Sequence, residues 1–124
     1  MLPMARNFNK TLILNHKIMG EFLKAFLPGM TPEEKKDPLI SPYYEDLSPF
    51  RGRLPSALFT CGTEDPLLDD SIAMATKWMV SGGEAIIKIY PGACHGFIGF
   101  APDVLEEAGK ALEDTKSYIK QCMG

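Results

Sequence analysis

The sequence predicts an α/β fold: a βαβ unit of two parallel strands with flanking helices. Three observations carry this. Two short apolar runs rich in β-formers, residues 56–62 and Ala85–Tyr90, are each bounded by turn residues. The interval between them carries helix start and stop signals, Asp69 or Asp70 and Ser81-Gly82-Gly83. A further helical stripe follows the second run. Strand, helix and strand in that order require parallel pairing and a right-handed crossover.

Taken in chain order, Leu12, Met19, Leu23 and Phe26 recur at helical spacing, flanked by Ile18, Phe22 and Leu27, and Pro28-Gly29 stops the run. An amphipathic helix over residues 12–27 is expected. Residues 30–55 contain five prolines and should form an ordered, irregular connection. Its apolar side chains Leu39, Ile40, Tyr43, Tyr44, Leu47 and Phe50 predict packing against something, which a flexible linker would not need. Residues 56–62 read as a strand buried on both faces. Asp69 or Asp70 is the expected cap of the next helix, which should reach Val80 and stop at Ser81-Gly82-Gly83. The second strand, Ala85–Tyr90, closes at Pro91-Gly92. The last helix is expected from about Pro102, with Asp103, Glu106 and Glu107 near its positive end and Lys116 and Lys120 near its negative end. Leu105, Ala108, Leu112, Thr115, Ile119 and Cys122 form its apolar stripe.

The 124 residues read as a single domain, with 1–55 supplying a helix and connection and 56–124 a β-α-β-α unit. That unit is incomplete by itself, because a lone parallel pair leaves both outer edges unpaired and needs cover on both faces. The chain is expected to be part of something larger. A net charge of -3 with no basic run longer than Lys35-Lys36 argues against a nucleic-acid partner. No apolar stretch is long enough for a membrane span, and the amino terminus lacks the apolar run of a signal peptide. Cys61, Cys94 and Cys122 are odd in number, widely spaced and in no ligand pattern with His16 or His95. Reduced thiols, a cytoplasmic location and no metal site are the corresponding expectations.

Reactive residues in open parallel sheets collect beyond the carboxyl ends of the strands. Two loops here satisfy that rule: residues 62–70 after the first strand and 90–97 after the second. Adjacent parallel strands bring such loops side by side, so a carboxylate of the first can orient an imidazole of the second. A carboxylate accepting the Nδ1 proton selects the tautomer whose Nε2 removes a proton from a nucleophile. Acid before base is also the chain order of one large hydrolase fold.

The loops read Asp65-Pro66-Leu67-Leu68-Asp69 and Tyr90-Pro91-Gly92-Ala93-Cys94-His95-Gly96-Phe97. In these, and in Asp37-Pro38-Leu39-Ile40-Ser41-Pro42 and Leu54-Pro55-Ser56-Ala57-Leu58 upstream, the sequence resembles the carboxyl-terminal section of the hormone-sensitive-lipase-like esterases, a branch of the α/β-hydrolases. The resemblance runs from about Leu12 to the end. It implies a partial α/β-hydrolase fold in which Asp65 is the triad acid, His95 the general base, and Asp69 a support of the acid loop. It also implies that the first helix helps wall a substrate pocket, and that the intact enzyme hydrolyses esters of fairly short acyl chains without metal or organic cofactor.

A serine hydrolase of this kind also needs Gly-x-Ser-x-Gly and a glycine-rich oxyanion segment. None of the serines at 41, 48, 56, 71, 81 and 117 lies in that motif, and neither histidine opens a glycine run. The chain is therefore expected to be inactive alone. The competing expectation is a noncatalytic module that self-associates, or binds a partner, through its open sheet edge. A third is a complementing amino-terminal half supplied by another chain. Among rival residues, Glu64 reads as a solvated neighbour, Asp70 as a helix-start residue, Cys94 as a packed thiol and His16 as a surface or pocket-edge residue. Met74, Trp78 and Met79 read as helix-to-sheet packing. Phe97 and Phe100 fit either a pocket border or packing beneath the histidine loop.

Overall fold

A computed structural model describes residues 12–124. Its elements are α1 (His16–Phe26), β1 (Ala57–Gly62), α2 (Leu68–Val80), β2 (Ala85–Tyr90) and α3 (Glu106–Met123), with short 3-10 turns between them. Among the described residues the sheet has two strands, β1 and β2, paired in parallel from Ala57↔Ala85 to Gly62↔Tyr90. The expected βαβ unit is present, and the resemblance to a partial hydrolase fold is sound in that respect.

Side chains alternate across a strand. Cys61 and Ile89 therefore share the face toward α2, and Lys88 and Tyr90 share the face toward α3. The protected core is gathered at the carboxyl end of the sheet, where Tyr90, Ala93, Phe97 and Ala111 form one buried cluster, with Cys94 and Leu105 against it. Ala75 of α2 and Ala108 and Ala111 of α3 are fully buried, and their small size lets the helices approach the sheet closely.

Several expected boundaries are corrected. The first helix starts at His16 rather than Leu12, because Asn15 adopts an extended backbone and its side chain accepts from the Ile18 amide at 3.1 Å. Neither Asp69 nor Asp70 caps α2; both lie inside its first turn, where their charge still suits the helix dipole. α2 does end at Val80, with Gly82 left-handed beyond it at φ 86. The last helix begins at Glu106, not Pro102. Val104 and Leu105 amides turn back onto the Ala101 carbonyl, and Leu105 is extended, so Asp103 lies outside the helix.

β1 is buried only at Cys61 and Gly62, short of the fully buried strand expected. The connection over 30–55 is ordered and irregular, held by three 3-10 turns and by Lys77, whose ammonium donates to the Tyr43 carbonyl and lies over the Tyr43 ring at 5.1 Å. Its apolar packing is narrower than expected. Leu47 is buried, whereas Leu39 is 95% exposed.

Candidate active site

The two loops are stitched together by backbone. The Tyr90 carbonyl accepts from the amides of Thr63 and Ala93, and the Ala93 carbonyl accepts from the amide of Glu64 at 3.0 Å. The Thr63 hydroxyl accepts from the Gly92 amide at 2.8 Å. These bonds extend the β1–β2 ladder past its end, so the loops after the two strands share one framework.

On that framework the structure brings Asp65 and His95 together. Asp65 Oδ2 lies 3.0 Å from His95 Nδ1, and Oδ1 accepts from the Leu67 amide at 2.8 Å. The carboxylate side chain is 8% exposed and the imidazole 40%. Since an ionised carboxylate can only accept, this contact suits the imidazole tautomer that carries its proton on Nδ1 and leaves the Nε2 lone pair free. The second oxygen, bonded to backbone two residues on, prevents the carboxylate from rotating away.

Asp65 and His95 line a cleft of about 230 Å³ with Thr60, Cys61, Leu67, Ser71 and the 96–98 turn. Phe97 serves both expected purposes, lining this cleft while packing against Tyr90 with ring centroids 5.1 Å apart. Phe100 is 38% exposed and is not among the lining residues. Residues of α1 are not among them either; His16 lies on the exposed face of α1 with Lys17, Glu21 and Lys24. Burial pushes the Cys61 thiol up, with a further push from the Asp65 charge, so Cys61 is a protonated, inert thiol. Cys94 packs against the Tyr90–Phe97 cluster. The Asp70 carboxyl is held above its ordinary range by desolvation and then by the charges of Asp69 and Asp65. Among the described residues no group of three or more His, Cys, Asp or Glu could hold a metal ion, and no helix is long and apolar enough to cross a membrane.

A family model of the alpha/beta hydrolase fold matches residues 2–99. The chain belongs to that family. Within the α/β-hydrolases its likeness is to the hormone-sensitive-lipase-like, fold-3 esterases. An AB hydrolase superfamily protein of Schizosaccharomyces pombe is 31% identical over 112 residues, covering 88% of this chain and 31% of the relative. Esterase LipU of Mycobacterium tuberculosis is 31% identical over 81 residues, 65% of this chain and 27% of the relative. Among solved structures, the thermostable carboxylesterase EstE1, cloned from a metagenomic library, superposes with a TM-score of 0.86 at 29% identity, over 100% of this chain and 40% of that one. A hormone-sensitive lipase from a metagenome library gives 0.84 at 25% identity, over 100% and 39%. This α/β-hydrolase chain thus spans about two-fifths of the solved relatives and under a third of the curated ones.

Two groups around the hydrolase loops escape a reading of the sequence. Thr63 precedes Asp65 by two residues and carries no motif signal. Asp114 lies on α3, where it accepts from the Tyr90 hydroxyl at 2.7 Å and from Lys88 Nζ at 2.9 Å. The bonds from Lys88 and Tyr90 hold its carboxyl below the ordinary 3.8. Burial and the Asp114 bond and charge hold the Tyr90 phenol well above its usual range. A carboxyl lowered in the folded state stabilises above its unfolded value, and that contribution is lost as pH falls through the folded value. The urea-stability gap between wild type and Asp114→Asn should therefore be constant at neutral pH and shrink once pH passes below 3.8. A gap unchanged at about pH 2.5 would mean that the Asp114 charge is not its source.

Proposed function

We propose that this chain supplies the triad acid, Asp65, and the general base, His95, of a serine carboxylesterase. The observation that carries the reading is the 3.0 Å contact between a buried carboxylate and a half-exposed imidazole, just beyond two parallel strands. Relatives named as esterases, a carboxylesterase and a hormone-sensitive lipase support the same reaction class.

In the proposed cycle, a serine hydroxyl attacks the ester carbonyl while its proton passes to His95 Nε2. Asp65 stabilises the resulting imidazolium through Nδ1–H. The imidazolium then protonates the departing alkoxide, leaving an acyl-serine. Water attacks the acyl carbon, gives its proton to Nε2, and the serine recovers that proton as the acid departs. The serine and the oxyanion donors come from outside these 124 residues, as a preceding segment of the same polypeptide or a complementing chain, because no Gly-x-Ser-x-Gly lies within them. Esters of fairly short acyl chains are the proposed substrates. With three unpaired thiols, a reducing compartment such as the cytoplasm is the proposed location.

Complementation tests the proposal. The chain should not hydrolyse p-nitrophenyl butyrate alone. Co-expressed with the portion of the metagenomic carboxylesterase that it does not cover, it should give activity blocked by a serine-reactive phosphonate and lost in His95→Ala. Serine-dependent turnover by the isolated chain, or unchanged activity of the His95→Ala complex, would overturn it.

A second reading follows from the open sheet and from exposed apolar side chains on α2, with Ile72 39%, Met79 45% and Val80 74% exposed. It makes the chain a noncatalytic module that self-associates or binds a partner through a strand edge. Size-exclusion chromatography with light scattering separates the readings. A stable monomer at micromolar concentration counts against self-association.

A further inference from the structure

The loop that presents His95 has little stiffness of its own. Gly92 and Gly96 flank the histidine, both left-handed, at φ 79 and φ 68. A loop hinged on two glycines loses much conformational freedom when ordered, so its geometry must be imposed by neighbours. The backbone bonds to Thr63 and Glu64 hold its first half, and the rest is held by the Asp65 contact to His95, by the Phe97 amide on the Cys94 carbonyl and by the Tyr90–Phe97 pair.

Tyr90 occupies the centre of this arrangement. Its carbonyl joins the acid and base loops, its ring packs on Phe97, and its side chain is 6% exposed in the core cluster. Its hydroxyl donates to Asp114, one turn beyond the fully buried Ala111 on α3. Lys88, two residues before Tyr90 on the same strand face, holds the other Asp114 oxygen. Both carboxylate oxygens are thus engaged from β2, and the helix that closes the core is tied to the strand that ends in the histidine loop.

We propose that Asp114 is a positioning residue: by holding the Tyr90 hydroxyl it keeps the Tyr90–Phe97 pair, and with it His95, aligned on Asp65. The inference rests on the reading of Asp65 and His95 as acid and base, but its mechanism is testable without turnover. Without the Asp114 bond the Tyr90 ring is held by packing alone, and its half-buried hydroxyl, left without its partner, would turn toward water and tilt the ring. The loop would then sample positions in which Nδ1 and Oδ2 separate.

The readout is the downfield His95 Nδ1–H proton resonance of the 124-residue chain, assigned with His16→Gln as background. Wild type should show it, and Asp65→Asn should abolish it. In Tyr90→Phe and Asp114→Ala the proton should exchange with water about tenfold faster, as expected for loss of one charge-assisted bond that closes a local opening. Asp114→Asn keeps an acceptor for the hydroxyl and should restore near-wild-type exchange. Far-UV circular dichroism should stay unchanged in all of these variants, and amide shift changes should be confined to residues 90–97, the substituted position and the residues in contact with it.

Wild-type exchange in Tyr90→Phe and Asp114→Ala, with the signal still lost in Asp65→Asn, sinks the positioning role and leaves the acid–base pair standing. Absence of the resonance in wild type removes the pair and the inference together. Shifts spread through the whole chain in Tyr90→Phe would make the bond a general stability contact and also overturn the proposal.

Discussion

Replacing Gly62 by alanine should destabilise the chain by about 3 kcal/mol or more, the upper range for overpacking, and should separate the two site loops. Gly62 is the last residue of β1, paired with Tyr90. A methyl group there would overlap the carbonyl of Ala93, which is backbone and cannot rotate aside. That carbonyl accepts from the Glu64 amide, and Ala93 itself is 1% exposed in the core cluster. Relief would require pushing residues 92–95 away from the Asp65 loop, which breaks the Glu64 bond and carries His95 with it. The urea midpoint and the His95 Nδ1–H resonance should fall together. An alanine variant within about 0.5 kcal/mol of wild type would show that the loops are not in such close approach.

Asp65→Asn should lower kcat of the complemented enzyme by about 10³–10⁴-fold with little change in KM. The asparagine can still accept from the Leu67 amide through its carbonyl oxygen, so the loop keeps its turn. What changes is the group facing His95. An amide NH₂ donates to Nδ1 and so selects the tautomer with the proton on Nε2, which cannot receive one from serine. No negative charge remains to stabilise the imidazolium. A loss below about tenfold would mean that another carboxylate, such as Asp70, carries the role.

The loops were legible in the sequence because their signals are local. Asp65-Pro66-Leu67 and Tyr90-Pro91-Gly92 lie directly after β-rich runs, and Pro and Gly restrict or free the backbone wherever they occur. β2 likewise has the expected bounds, since turn residues enclose it on both sides. Helix starts were less legible. At α1 the cap was Asn15, inside an apolar run that looked helical from Leu12, and at α3 the favourable Pro102 was overruled by a turn at Ala101. Periodicity marks a face, but a cap depends on which side chain meets which amide.

The sequence by itself determined the kind of unit, the parallel pairing that its order requires, and the pair of residues proposed as acid and base. Only the tertiary structure decided that Asp65 and His95 meet at 3.0 Å, that Thr63 and Ala93 lace their loops together, and that Asp114 reaches Tyr90 from the last helix. The reason is separation along the chain. Strand and turn preferences arise among neighbouring residues, whereas Asp65 and His95, or Tyr90 and Asp114, are distant in sequence and meet only once the sheet and its covering helices have packed.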